Sequence, residues 1–114
     1  MMAFDSPFVG FSFAATALKE VLDWPIEGET ASARMKQIGF LCLIHQLQIS
    51  GADTTFTNIM TLTGLQRTSI AEFVAPLVAR KLLVERHVRN TIGRGKATKV
   101  EIPQEFLTRI HPVA

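Results

Sequence analysis

The chain has 114 residues, enough for one domain around one core. Hydrophobic residues make up 47% and charged residues 19%, which excludes a disordered chain, and the mean hydropathy of +0.23 predicts more apolar surface than a small monomer hides. The net charge of +2 is unevenly placed. Residues 1–33 hold Lys19 against Asp5, Glu20, Asp23, Glu27 and Glu29, a balance of −4, whereas residues 80–114 hold eight Lys and Arg against Glu85, Glu101 and Glu105, a balance of +5. Such asymmetry predicts one end that faces a polyanion and another with a different task.

In chain order, residues 1–12 read as a Phe-rich arm (Phe4, Phe8, Phe11, with Phe13 just after) that needs a surface to pack on. Dimer packing fits it better than a ligand pocket. Ser12 reads as the cap of a helix through about Trp24, with Leu18, Val21 and Leu22 as its apolar stripe; Pro25 and Gly28 end it. A long helix over about 30–49 follows, ended by Ser50-Gly51. Met35, Ile38, Leu41, Cys42, Ile44 and Leu47, with Phe40 and Leu43, make it apolar on more than one face, so it is expected to be central and to touch a partner chain as well.

The stretch TTFTNIMTLTG reads as a short helix with Thr55 as N-cap, Ile59 and Met60 inward and Gly64 as its stop. The next helix places Ile70, Phe73, Val74, Leu77 and Val78 at i, i+3, i+4, i+7 and i+8, an amphipathic pattern. Pro76 inside it is expected to kink or loosen it. Beyond Leu82-Leu83 the period becomes two. Val84 and Val88 share one strand face, Val100 and Ile102 share a face on the returning strand, and Lys99 and Glu101 point away. Residues 90–95 make the turn, and Pro103 opens a short last helix.

Two short helices joined at a glycine and followed by a hairpin predict a winged helix-turn-helix: mainly α with a small β-hairpin and an extra N-terminal helix and arm. The segment GLQRTSIAEFVAPLVARKLLVER resembles the recognition-helix region of MarR-type transcriptional regulators. The features that carry the resemblance are Gly64-Leu65 before the helix, Arg67-Thr68-Ser69 at its start, Leu77 in its core and Leu82-Leu83 entering the wing, over roughly residues 54–102. The chain departs from that family at Gln66, where Ser or Thr is usual, at the wing tip, which lacks an acid, and in having almost no C-terminal dimerisation helices. Short winged-helix regulators that dimerise through N-terminal elements fit equally well. Residues 1–29 are accordingly expected to form a dimerisation element and 30–114 a DNA-binding winged helix.

The residues support double-stranded DNA as partner independently. Arg67, Thr68 and Ser69 offer small or hydrogen-bonding groups for a major groove. Arg67 suits guanine, Gln66 suits adenine, and Thr55 and Thr57 suit phosphates. Arg94, between Gly93 and Gly95, suits a narrow minor groove, with Arg89, Asn90, Lys96 and Lys99 around it on the hairpin. Glu72 lies on the same reading helix, where an acid repels phosphate.

Blander readings exist for each. A basic hairpin can be solvated edge protection, Arg67 can pair on its own helix surface, and the N-terminal acids can form a solvated face. Cys42 sits in an apolar run where burial makes a thiol inert, against a redox role. One cysteine excludes an internal disulfide. The longest apolar run, Ile38 to Ile44, is too short for a bilayer. No secretory signal is expected, and the protein reads as cytoplasmic. His45, His87 and His111 show no ligand spacing. No phosphate loop or catalytic set stands out, so neither an enzyme nor a cofactor or metal is expected. The main expectation is a homodimeric, sequence-specific DNA-binding regulator of transcription, paired through the arm and the long helix. The rivals are a winged-helix protein-interaction or assembly module and a component of plasmid or phage replication.

Overall fold

The computed structural model describes residues 5–89 and 96–110, and the side chains of residues 12–88 and 97–108. The order is α1 (Asp5–Asp23), α2 (Ala31–Ile49), α3 (Phe56–Thr63), α4 (Arg67–Ala79), β1 (Val84–Arg89), β2 (Lys96–Glu101) and α5 (Gln104–Ile110). The fold is thus mainly helical with one small antiparallel hairpin.

α1 corrects the sequence reading. It begins at Asp5, so Ser12 lies inside it, its carbonyl accepting the Thr16 hydroxyl at 2.9 Å. Most of the expected arm is therefore helix. Its buried stripe is Phe13, Ala17 and Val21, spaced by four, while Leu18 and Leu22 are 38% and 43% exposed. Phe13 joins three helices, stacked on His45 of α2 at 3.8 Å and edge-on to Phe106 of α5 at 5.5 Å. Burying a ring of this size contributes about 2–3 kcal/mol.

α2 is central, as expected. The Thr30 hydroxyl caps it by accepting from the Ala33 amide at 3.0 Å, and Gly51 takes the left-handed turn after it. Ile38, Phe40, Leu41, Ile44 and Leu47 are buried, and α2 packs on both α1 and α4. Met35 stands out into solvent instead of joining them. Ile59 of α3 and Ile70, Val74 and Leu77 of α4 complete the core with Leu82, Leu83, Val100, Ile102 and Phe106. Phe73 is only partly buried and Val78 is exposed, so the inward face of α4 is narrower than its amphipathic pattern predicts. α4 runs on through Pro76 to Ala79.

The connection between α3 and α4 is short because Gly64 adopts φ +77°, where a side chain is strained, and its amide donates to the Met60 carbonyl at 2.9 Å. In the hairpin, Val84 pairs with Glu101, Arg86 with Lys99, His87 with Thr98 and Arg89 with Lys96. A third segment joins it at one edge. Thr55 bridges to Lys99, and the Val100 amide donates to the Thr54 carbonyl at 3.2 Å. That edge ties the start of α3 to the hairpin. Residues 90–95, with the expected turn and both Asn90 and Arg94, lie outside the described residues.

Candidate nucleic-acid interface

The start of α4 is the exposed corner of the helix pair. Gln66 is its N-cap residue but makes no side-chain cap bond, so its amide stays available outward. Thr68 is exposed and Ser69 half-buried. Arg67 is held from two sides. Its guanidinium lies 5.0 Å above the Phe56 ring, and Nη2 sits 3.4 Å from Oγ1 of Thr98 on the hairpin. Phe56 and Thr98 were not singled out in the sequence. No periodicity marks them, because their relevance comes only from the meeting of three elements.

At the start of α3, Thr57 is exposed. The Thr55 hydroxyl is already engaged, accepting from the Asn58 amide at 3.3 Å and donating to Asp53 Oδ2 at 3.0 Å. Its part is therefore capping, and any phosphate contact near it falls to Thr57.

The hairpin divides its side chains by alternation. Thr98 and Val100 lie on the face that meets α4 and the core, and Lys99 with its cross-strand neighbour Arg86 lies on the opposite face. There Glu101 holds both cations, Arg86 Nε at 2.5 Å and Lys99 Nζ at 3.6 Å. Lys99 thus stands away from Arg67. Arg89 and Lys96 form the last backbone pair before the turn.

Glu72 is exposed on the middle of α4, where it joins Phe73, Pro76, Ile26, Lys36 and Gln37 around an open cavity of about 370 Å³. A smaller apolar groove of about 240 Å³ continues past Lys36 and Phe73 to Gly39, Leu43 and Leu65. α4 therefore offers polar groups on its first turn and a mixed concavity farther along.

At its C-terminal end α4 is fastened inside the protein. Arg80 Nη2 is 2.6 Å from Glu29 Oε1, with both side chains almost fully buried. The same guanidinium donates to Gln37 Oε1 and to the Trp24 carbonyl at 3.0 Å. Hydrogen bonding from Arg80, opposed by burial, holds the Glu29 carboxyl at about 2 against an ordinary 4.5. One cation and one acid of the sequence-level charge asymmetry thus cancel in the interior.

Among the described residues no group of three or more His, Cys, Asp or Glu could hold a metal ion. No described helix is long and apolar enough to cross a membrane. No protein-family model, curated protein or solved structure matches the chain.

Proposed function

We propose that the chain is a winged helix-turn-helix protein, similar to MarR-type regulators, that binds double-stranded DNA as a cytoplasmic homodimer and regulates transcription. One observation carries this reading: the exposed first turn of α4 stands directly beside the hairpin, with Arg67 within 3.4 Å of Thr98. A helix start and a hairpin side by side suit a duplex, because one can enter a major groove while the other reaches the flanking backbone or minor groove. The Thr55–Lys99 bridge supports it by tying the start of α3 to the hairpin. Gln66, Arg67, Thr68 and Ser69 read bases; Thr57 and the hairpin residues Arg89, Asn90, Arg94 and Lys96 contact phosphates or the minor groove, with Lys99 at the flank.

Fluorescence anisotropy with a random-sequence duplex at low and moderate salt tests this. Affinity that falls steeply with salt is expected, since phosphate contacts release counterions. No binding at low salt sinks it. The second reading, a winged helix used for protein assembly, is favoured by Glu72 and the cavity beside it, because an acid and a concavity on the presumed reading helix suit a protein surface better than a groove. A winged helix of a replication component would give the same anisotropy result and separates only by its preferred site.

A further inference from the structure

The cavity beside α4 takes no part in the nucleic-acid reading, and its walls carry charges that nothing in the fold uses. It opens between the middle of α4, the loop after α1 and the start of α2, and its volume of about 370 Å³ suits a small molecule. Ile26, Phe73 and Pro76 give it an apolar wall. Gln37, 2% exposed, lies in its floor and is engaged at both ends: its amide nitrogen donates to Glu29 Oε2 and its amide oxygen accepts from Arg80. Glu29 is itself neutralised by Arg80. Glu27, Lys36 and Glu72 also line the space, are exposed, and pair with no opposite charge among the described residues. Two acids against one lysine leave the uncommitted charge negative. Pro76 adds a backbone acceptor. Proline has no N–H, so the helix bond that position 76 would give to the Glu72 carbonyl is missing. Helix carbonyls point along the axis toward the fourth residue on, so this one is directed toward Pro76 in the same wall.

We propose that this cavity binds a small organic ammonium ion with an apolar body. The inference stands whether or not α4 reads DNA. The negative balance selects a cation, and the acceptor set selects one that carries N–H donors. The Glu72 carbonyl, without its helix donor, accepts one N–H, and the carboxylates of Glu72 and Glu27 balance the charge. A bare metal ion does not fit. Glu27, Glu29 and Glu72 line one space, yet no three such groups converge on a metal position among the described residues, and Glu29 is held by Arg80. The apolar body packs on Ile26 and the Phe73 ring, whose face also attracts a cation. It has room to continue, because the groove of about 240 Å³ runs on past Phe73 to Leu43 and Leu65. Lys36 stands at the junction of the two spaces, so its like charge keeps the ammonium at the Glu72 end while its methylene stem lines the way for the apolar part.

Proton–nitrogen correlation NMR of the full chain without DNA tests the site. The probe is phenethylammonium chloride, and hydrocinnamate, of similar body and opposite charge, is the control. The ammonium is expected to shift amides within residues 26–37 and 72–77 with a dissociation constant of about 1 mM, and the acid is expected to leave them unmoved. Glu72→Gln should weaken binding about threefold, because an exposed ion pair adds little. Pro76→Ala is the sharper variant. It returns an N–H to the Glu72 carbonyl, so it should weaken ammonium binding about fivefold while raising the melting temperature. A loss of binding in a more stable protein does not come from a damaged fold. No shift at about 10 mM ammonium, or equal shifts from the acid, overturns the proposal. Binding indifferent to both Glu72→Gln and Pro76→Ala overturns the place assigned to it. Shifts from a lysine-containing peptide with none from the free ammonium overturn the small-molecule assignment and give the cavity to a protein partner.

Discussion

Arg80 and Glu29 form a buried ion pair across 51 positions of sequence, joining the end of α4 to the loop between α1 and α2. The pair is held by further bonds to Gln37 and to the Trp24 carbonyl. Removing one partner strands the other charge in the interior. Glu29→Gln or Arg80→Met should therefore cost about 3–5 kcal/mol, read from urea unfolding midpoints.

The same pair makes stability depend on pH. The Glu29 carboxyl sits at about 2 when folded and near 4.5 when unfolded, so between those values the unfolded chain binds more protons. The stabilisation is fully present above about 4.5 and is lost as pH falls toward about 2. Thermal unfolding from pH 6 to pH 2.5 should show a steep decline in the wild type. A flatter decline is expected in Glu29→Gln, and equal slopes would remove Glu29 as the cause.

Arg67 is expected to govern base preference. Arg67→Ala should relax discrimination at one base pair by about 1–3 kcal/mol while leaving nonspecific affinity largely intact. The guanidinium over the buried Phe56 ring is itself exposed, so the accompanying loss of stability should stay at or below about 1 kcal/mol. Competition binding with single-base duplex variants separates the two effects.

Arg94→Ala carries the contrasting expectation. It should weaken binding to all duplexes and lower the salt slope by about 1. Identical affinities for wild type and variant across several salt concentrations would take Arg94 out of the mechanism.

Gly64→Ala should destabilise by about 1–2 kcal/mol. A Cβ there meets nothing within 4 Å, so the cost is the left-handed backbone alone. Asn, which tolerates that conformation better, should recover part of the loss.

Much of the fold was legible because threonine side chains and a left-handed glycine close the ends of its helices. Thr30, Thr55 and Gly64 mark boundaries in sequence and do so in space. The start of α1 was misread because Ser12 suits a helix cap as well as a helix interior, and its face because the small Ala17 carries little weight in an apolar stripe although it is fully buried. Arg80 looked like surface charge. Its buried position depends on an acid and two carbonyls far away in sequence, which no local pattern encodes. The start of α4 could be read from residue type; its closeness to Thr98 could not.

The Arg80–Glu29 link also bears on how the molecule comes apart. The guanidinium is completed only when residues 21–37 are already in place, and Phe13, Ala17 and Val21 share one core with the hairpin's Val100. Melting should pass through a single cooperative transition. A fragment lacking α1 should behave as an open chain, and a lesion near Trp24 should be felt at the C-terminal end of α4.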